Sequence, residues 1–426
     1  MILTNARVLT FDAGQRVFDS GSVEVRPDGA IGFVRSGRAL DGNTVDLHGR
    51  LLMPALINCH THLYSTLARG LPLPGAAPAD FPSILKKLWW RLDRALNEDD
   101  VYSSALVGLV ESAKCGVGTV LDHHSSPNAC SGSLDLIEQA FRQVGLRGAT
   151  CYEVSDRNGK RAAREAIREN VRFLESRRPG APVGGMFGLH AAFTLSDATL
   201  RACLEANQSL HAGFHVHVAE DRCDRAAARR LAAFGILDEK SLAAHCVHIT
   251  AAEREMLARR SVNIAHNPQS NCNNAVGIAN LAALARASAC VGLGSDGCTP
   301  RMWDEFKAAY HLQKVRARDP RVAAAEVYAA AFANNREIVR KIWGITIGAI
   351  EPGARADLLL LDYQPPTPIQ PANLFGHLLY GIANAPVDSL MVDGRWVVRE
   401  GRCLHVDEID IAEQAARRAQ ALWDRF

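Results

Sequence analysis

Eight short apolar runs recur between residues 55 and 297, and each is followed by a longer segment with helical periodicity. They are ALINCHTH (55–62), GTVLDHH (118–124), LRGATCYE (146–153), GGMFGLHA (184–191), GFHVHVAE (213–220), LAAHCVH (242–248), VNIAHNP (262–268) and ACVGLGSDG (289–297). Eight alternations of strand and helix predict an α/β fold, a (β/α)8 TIM barrel. A doubly wound sheet is the alternative, but it more often carries an early glycine-rich phosphate turn, and no GxGxxG follows the first run.

The two ends of the chain have a different pattern from the middle. Residues 1–52 and 353–406 contain short apolar or alternating runs broken by Asp-Gly turns, which is typical of strands and hairpins. We therefore predict a small β-sandwich module formed by both termini, with the barrel, residues 53–352, inserted between its halves. Residues 407–426 are predicted to form a C-terminal helix.

Composition excludes several classes of protein. The 48 Lys and Arg residues nearly balance the 46 Asp and Glu residues, so the net charge of +2 predicts no nucleic-acid or membrane partner. No run of 18 apolar residues predicts a membrane-spanning helix, and the N-terminus does not read as a secretory leader. Eleven scattered cysteines without a CxxC pair argue against a disulfide framework and favour the reducing cytoplasm.

Chemically capable side chains stand at the end of nearly every predicted strand, where barrel enzymes place their active sites. They are His60, His62, His123, His124, Glu153, His190, His217, Glu220, His245, His248, His266, Asn267 and Asp296. His60 and His62 form an HxH pair on the first strand. Because residues i and i+2 of a strand share a face, both imidazoles can chelate one ion, although a lone HxH pair can also arise by coincidence.

The other candidate ligands each have a second reading. His215 and His217 share a face, so spacing does not choose between them. Glu220 lies beyond its strand end and could be a surface residue, and His245 has the apolar flank of an ordinary core histidine. Asp296 stands between glycines, which suits a close approach to a ligand but also an Asp-Gly turn or a helix N-cap.

Three histidines and one carboxylate suit a single Zn²⁺, with Fe²⁺ or Mn²⁺ as alternatives. Such a centre activates water for attack on an electrophilic carbon, and it needs a base for the water proton and an acid for the leaving nitrogen. Asp296, His245 and Glu220 are the available groups. The zinc deaminases with an HxE and PCxxC signature are excluded because that cysteine pattern is absent.

Taken together, these motifs resemble the amidohydrolase superfamily, in the branch of cytosine-deaminase-like and triazine-hydrolase-like enzymes. The motifs are PALINCHTHLYSTLARG, GLHAAFTLSD, HVHVAE, AAHCVH, AHNPQSN, GLGSDG and IEPGARADLLLLD, and they follow the family's order over almost the whole chain. LKKLWWRLDRAL, LDHHSSPNA and CYEVSDRNG resemble a narrower subgroup of aminohydrolases.

The resemblance implies a role for each matching residue. His60, His62, His217 and Asp296 would bind one metal ion, which chooses His217 over His215. Glu220 would shuttle a proton to the substrate, His245 would act on the attacking water together with Asp296, and His190 would hydrogen-bond the substrate. Two-metal relatives carry a lysine on the fourth strand, and GGMFGLHA has none, so one ion is expected. Ala192 departs from the family, which usually has proline there.

The resemblance also implies an activity, hydrolysis of an amidine-like C–N bond in a purine-, pyrimidine- or triazine-like heterocycle with release of ammonia. The alternatives are a ring-opening cyclic amide hydrolase, loss of chloride or alkylamine at the same site, and a catalytically silent scaffold. Trp89, His123 and Arg157 are predicted to join His190 in the substrate pocket, although Trp89 could instead pack a helix against the barrel. A homo-oligomer, with a dimer favoured, is the expected assembly.

Overall fold

The computed structural model describes residues 1–40, 42–178, 180–297 and 299–426, and within them the chain forms eighteen strands. In chain order they are β1 (Ile2–Leu9), β2 (Val17–Val25), β3 (Ile31–Ser36), β4 (Thr44–Asp46), β5 (Leu51–Pro54), β6 (Leu56–Thr61), β7 (Val117–Asp122), β8 (Arg147–Thr150), β9 (Val183–Gly185), β10 (Phe187–Ala191), β11 (Phe214–Val218), β12 (Leu242–His245), β13 (Asn263–His266), β14 (Cys290–Leu293), β15 (Leu358–Leu361), β16 (Val387–Val392), β17 (Arg395–Arg399) and β18 (Arg402–Cys403).

The same residues form fifteen α-helices. They are α1 (Phe81–Ile84), α2 (Trp90–Ala95), α3 (Glu98–Lys114), α4 (Ser133–Val144), α5 (Gly159–Glu175), α6 (Asp197–Asn207), α7 (Ala227–Ala233), α8 (Ala251–Arg259), α9 (Pro268–Asn273), α10 (Leu281–Arg286), α11 (Met302–Ala317), α12 (Ala324–Tyr328), α13 (Asn335–Trp343), α14 (Leu374–Tyr380) and α15 (Glu408–Trp423). A π-helical turn, Leu85–Trp89, connects α1 to α2. No described helix is both long and apolar enough to cross a bilayer.

The strands from β6 to β14 are parallel and build the predicted barrel. β6 to β9 form one sheet and β10 to β14 another. Single bridges between Val154 and Leu189 and between Thr61 and Asp296 join the two sheets at both edges. The eight predicted strand positions are therefore confirmed, with the fourth divided at Met186 into β9 and β10. The polar residues that end these runs lie at the carboxyl edge of the barrel.

Strands from both chain termini combine in the second unit, as predicted. They form one nine-stranded sheet in the order β18-β17-β16-β15-β5-β1-β2-β3, with β4 beside β1, rather than two separate sheets. One edge of β1 pairs with both β4 and β5, and β5 pairs with β15, which links the N-terminal strands to the C-terminal ones. Leu51 and Met53 pack with the barrel core, whereas Leu52 packs with the core of the sheet itself, as the alternation of a strand requires.

The C-terminal helix α15 lies against α3. Trp423 Nε1 donates to Leu67 O at 2.8 Å, and Arg418 pairs with Asp99 at 2.6 Å. Phe426 lies next to α2, because Arg91 of that helix donates to Phe426 O at 2.8 Å. The division of the chain at residues 52/53, 352/353 and 406/407 into separate units stays a prediction.

Candidate active site

Four of the predicted ligands converge at the carboxyl end of the barrel. His60 and His62 come from β6, His217 comes from β11, and Asp296 follows β14. Asp296 Oδ1 lies 3.0 Å from His62 Nε2 and 3.6 Å from His60 Nε2, and His62 Nε2 lies 3.2 Å from His217 Nε2. The four side chains are almost completely removed from solvent. The structure thus brings one carboxylate and three imidazoles to a single point.

A hydrogen bond at the other ring nitrogen orients each of these imidazoles. His62 Nδ1 lies 2.6 Å from His123 O, and His217 Nδ1 lies 2.9 Å from His190 O. A carbonyl oxygen can only accept, so both Nδ1 atoms donate. His60 Nδ1 lies 2.8 Å from His215 Nε2. All three Nε2 atoms are therefore directed to the same point, as in metal sites whose histidines are held by outer partners.

The charge distribution of this cluster fits a metal cation. His60 Nε2 is buried without a hydrogen-bond partner, and so is His245 Nε2. Burial lowers the pKa of His60 to about 3. Burial also opposes protonation of His62, yet the Asp296 carboxylate raises the pKa of His62 to about 9. The cluster thus attracts positive charge, and its nitrogen and oxygen donors are those of a zinc site.

The backbone around Asp296 holds its carboxylate over the end of β6. Asp296 has a φ of 59°, in the left-handed region that few residues other than glycine adopt. Its N–H donates to His60 O at 2.9 Å, and Thr61 Oγ1 donates to Asp296 O at 2.8 Å. Ser270 Oγ donates to Asp296 Oδ2. Burial would raise the pKa of Asp296, but His60 and His62 hold it well below its usual range.

Glu220 and His245 lie beside the four ligands. His245 Nε2 is 3.5 Å from Glu220 Oε2 and 3.8 Å from Asp296 Oδ2, and its Nδ1 is 2.8 Å from Asn271 Oδ1. Asn274 Nδ2 donates to Glu220 Oε1 at 3.3 Å. Burial raises the pKa of Glu220 to about 7. A carboxyl group with this pKa can both give and take a proton near neutral pH.

A cavity that is continuous with solvent opens above the four ligands, Glu220 and His245, and we call this end of the cavity its floor. Besides the floor residues, its wall contains Tyr64, Phe81, Leu85, Trp89, Trp90, Asp93, Glu153, Arg157, His190, Ala191, Phe193, Asp221, Asp224, Ser270, Asn274 and Gly297. The wall comes mainly from the segment that includes α1 and α2 and from the loops after β8, β10 and β11.

Three of the four residues predicted to bind substrate lie on this wall. His190 lies there with its Nδ1 2.7 Å from Thr194 Oγ1, and burial lowers the pKa of His190 to about 3. Trp89 is half-buried, packs against the hydrophobic core and also lines the cavity, so both predicted roles stay open. Arg157 also faces the cavity, but its guanidinium is paired with Glu153 and Asp93.

His123, the fourth predicted residue, lies behind the floor instead. Its side chain is completely buried and does not belong to the described cavity wall. Its Nε2 is 3.1 Å from both Leu189 O and His215 O, and its Nδ1 is 3.4 Å from Glu153 Oε2. Its ring centroid lies 5.5 Å from that of His62 and 4.7 Å from that of His217, so this imidazole packs against two of the proposed ligands.

Sequence reasoning missed several polar residues at the site. Ser270 and Asn271 lie inside the AHNPQSN motif, and that motif was the signal that could have assigned them. Asn274 belongs to no such motif, and Asp93, although it lies inside LKKLWWRLDRAL, reads as one charge on an amphipathic helix. They reach the site only because α9 and α2 pack over the end of the barrel.

Known proteins resemble this chain over most of its length. The sequence profile described as the Amidohydrolase family matches residues 51–397. The chain is 33% identical to a 5-methylthioadenosine/S-adenosylhomocysteine deaminase of Desulforudis audaxviator, over 95% of each chain. It is 28% identical to a 5'-deoxyadenosine deaminase of Methanosarcina mazei, over 99% of this chain and 98% of the relative.

The fold has equally extensive counterparts among solved structures. An adenosine deaminase of Xanthomonas campestris with bound zinc superposes with a TM-score of 0.87 at 24% identity, over 100% of this chain and 98% of the other. This likeness concerns the fold alone. The narrower resemblance to one aminohydrolase subgroup stays a prediction. The family match over most of the chain and the 33% identity over nearly its whole length show that the chain belongs to the amidohydrolase family.

Proposed function

We propose that this protein is a metal-dependent aminohydrolase that releases ammonia from the adenine ring of a 5'-modified adenosine. The observation that carries the proposal is the convergence of His60, His62, His217 and Asp296 with Glu220 and His245 at the floor of one cavity. The names of the related deaminases narrow the heterocycle from the broader set of purines, pyrimidines and triazines.

His60, His62, His217 and Asp296 would hold one divalent ion, and the donor set favours Zn²⁺ over Fe²⁺ or Mn²⁺. When bound, the ion supplies Lewis acidity at the floor of the cavity. The sequence of β10, FGLHA, contains no lysine that could bridge a second ion. The missing lysine supports the proposal of one ion per chain.

The proposed chemistry requires side chains of this chain to move both protons of the attacking water. His245 and Asp296 accept these protons one after the other. Glu220 donates one proton to the ring nitrogen next to the reacting carbon, and a second proton, passed on from the water, goes to the amino group, which leaves as ammonia when its C–N bond breaks. The separation of 3.5 Å between Glu220 Oε2 and His245 Nε2 lets a proton pass from one group to the other with a small shift. His190, neutral because burial lowers its pKa to about 3, hydrogen-bonds the ring or its sugar.

The ring-opening, dechlorinating and dealkylating alternatives would use the same floor and differ in their products. A catalytically silent scaffold would have no use for Glu220 with a pKa raised to about 7 and placed 3.5 Å from His245. The homodimer and the cytoplasmic location stay predictions. The ten described cysteines are free, which is usual for proteins of a reducing compartment.

The experiment is an ammonia-release assay on zinc-loaded protein, combined with metal analysis. The panel contains 5'-methylthioadenosine, 5'-deoxyadenosine, adenosine, guanine, cytosine and an aminotriazine. We expect one ion per chain and the largest kcat/KM for one of the 5'-modified adenosines. Two tightly bound ions would contradict the mononuclear site. Ammonia from none of the panel, or an acyclic acid as product, would contradict the proposed activity.

A further inference from the structure

The outer wall of the cavity carries more negative than positive groups. Asp93, Glu153, Asp221 and Asp224 line it above the floor, and Arg157 is the one cationic side chain among the described lining residues apart from the histidines. Asp221 Oδ1 accepts from Cys223 N at 2.9 Å, and Asp224 accepts from Phe193 N at 3.1 Å and Ala219 N at 3.0 Å. Asp221 and Asp224 are therefore held by backbone amides and not by cations of the wall.

Arg157 already forms ion pairs with two of these acids, Glu153 and Asp93. Its Nη1 is 2.5 Å from Glu153 Oε1, its Nη2 pairs with Asp93 Oδ2, and the same Nη2 donates to Ser125 Oγ at 2.9 Å. The Arg157 side chain is only 7% exposed. A bidentate guanidinium is the usual receptor for a carboxylate or phosphate, but this one would have to give up both internal partners to serve as one.

Aromatic rings form much of the remaining outer wall. Phe81, Trp89 and Trp90 come from the segment that contains α1 and α2, and Phe193 comes from the loop after β10. Phe193 is 41% exposed, so its ring forms part of the mouth of the cavity. With the reacting carbon at the floor, the remainder of a substrate extends towards these rings, which favour apolar and neutral groups.

We propose that the cavity selects 5'-modified adenosines whose 5' substituent carries no net negative charge and discriminates against a substituent whose net charge is negative, such as a lone carboxylate or a phosphate. The inference rests on the proposed function and names the substituent that this site accepts. The physical reason is that an anionic substituent enters a partly desolvated wall whose carboxylates have no spare counter-cation. Like charges brought together in this way weaken binding in both the ground state and the transition state.

A matched pair of substrates isolates charge from size. 5'-Carbamoylmethylthio-5'-deoxyadenosine and 5'-carboxymethylthio-5'-deoxyadenosine differ by an amide in place of a carboxylate. We expect zinc-loaded protein at pH 8 to show a kcat/KM at least ~10-fold higher for the amide, because the carboxylates of the wall repel the carboxylate of the substrate but not the amide. We also expect 5'-methylthioadenosine to be used well and adenosine 5'-monophosphate not to be used. Equal kcat/KM for amide and carboxylate would overturn the proposal.

A gain-of-function variant supplies the missing cation. Phe193→Lys places an ammonium at the mouth, and Phe193→Gln removes the ring without adding charge. We expect the Lys variant to raise the ratio of carboxylate to amide kcat/KM by ~10-fold over wild type, because the new ammonium attracts the carboxylate of the substrate but not the amide. The Gln variant should leave this ratio unchanged. An equal rise in both variants would mean that loss of the ring, and not charge, sets the preference.

Failure of this inference is distinguishable from failure of the proposed function. If the wild-type protein deaminates none of the adenosines, the proposed activity is wrong. The charge preference is then measured by calorimetric titration of the same amide and carboxylate into zinc-loaded protein. Equal affinities, or tighter binding of the carboxylate, would overturn the inference, whereas tighter binding of the amide would support it.

Discussion

Two groups of histidines stand at the ends of the barrel strands, and they differ in what their nitrogens face. His62, His217 and His245 form part of the cavity wall. His123, His124 and His215 are completely buried behind it. In the first group Nδ1 is engaged by a fixed partner while Nε2 faces the floor of the cavity. In the second group a ring nitrogen forms a hydrogen bond with a neighbouring residue, as His215 Nε2 does with His60 Nδ1.

The difference arises from depth along the strand and not from the type of residue. Two residues of a strand that share a face are ~7 Å apart along it, about the thickness of one layer of side chains. His217 thus reaches the ligand cluster, while His215 lies one layer deeper and contacts His60. We propose that the layer facing the cavity, which contains His217, takes part in the chemistry and that the layer behind it, which contains His215, orients the ligands.

The largest effect is expected at Glu220, the proposed proton carrier beside His245. Glu220→Gln removes the acid but keeps the size of the side chain, so we expect kcat/KM to fall ~10³-fold, within the range for loss of a general acid or base. The bound metal per chain should not change, because Glu220 is not among the four ligands of the proposed site. Steady-state ammonia release and metal analysis measure the two quantities.

Glu255→Gln, an exposed substitution on α8, is the matched control and should keep full activity. If Glu220→Gln lost metal in proportion to activity, Glu220 would be a ligand, and the separation between ligands and proton carrier would be wrong.

The next effect tests the layer behind the metal cluster. His215→Phe removes the partner of His60 Nδ1, so His60 loses the contact that directs its Nε2. We expect the affinity for zinc to fall by ~10–100-fold, the usual consequence of losing an outer partner of a metal ligand. Competition with a chromophoric chelator measures this affinity.

His217→Phe removes a proposed ligand and should weaken zinc binding much more than His215→Phe does. Equal affinities in the two variants would show that the two layers do not differ in function. Wild-type affinity in His215→Phe would show that His60 needs no partner.

A third prediction concerns stability against acid. His124 is buried with its Nε2 2.8 Å from Ser126 Oγ, and burial lowers the pKa of His124 from its ordinary value of 6.5 to about 3. The unfolded chain therefore binds a proton below pH 6.5 that the folded chain does not, so this residue lowers the free energy of unfolding as pH falls from 6.5 towards 3.

His124→Gln removes that dependence. Between pH 7 and pH 5 we expect the free energy of unfolding of the variant to rise by about 2 kcal/mol relative to wild type, from ~1.4 kcal/mol per unit of pKa. Urea unfolding at the two values measures it, with the exposed His405→Gln as control. A constant difference between variant and wild type would show that His124 is protonated in the folded protein.

The smallest effect is expected in the loop after β10, where the family resemblance leads us to expect proline and the chain has Ala192. Arg230 on α7 holds this loop, since it donates to Ala192 O, to Leu195 O at 2.8 Å and to Asp197 Oδ1 at 2.6 Å. Arg230→Met should loosen the loop that carries His190 and raise KM ~5-fold, equivalent to about 1 kcal/mol, with little change in kcat.

Adding Ala192→Pro to Arg230→Met should recover part of the lost KM, because proline suits the first position of the short helical turn there. The exposed Arg229→Met on the same helix is the control. An unchanged KM in Arg230→Met would show that the loop is held without this arginine.

Much of the barrel and the floor of its cavity could be predicted from the sequence. The eight apolar runs correspond to the barrel strands because burial on both faces imposes continuous apolar stretches on a parallel sheet. The HxH pair and Asp296 were recognisable because barrel strands direct their carboxyl ends to one place. The choice of His217 over His215 needed the family resemblance, since both lie on one face.

The wall of the cavity could not be predicted in the same way. His123 was expected to face the substrate, but its strand end directs it behind the ligands, towards Glu153. Asp93 in α2 and Asn274 at the end of α9 reach the wall because these helices pack over the barrel, and no local pattern in the sequence encodes that packing. Arg157 was expected to bind substrate, but only the fold shows that two acids already neutralise it.

The sequence by itself determined which residues stand at the strand ends and which chemistry they can perform, because strand period and apolar burial are local properties. Only the tertiary structure decided which of those histidines face the cavity and which support them, and which charges on the wall remain unpaired. These properties depend on contacts between residues far apart in the chain, such as His60 with His215 and Arg157 with Asp93. Local sequence patterns do not record such contacts.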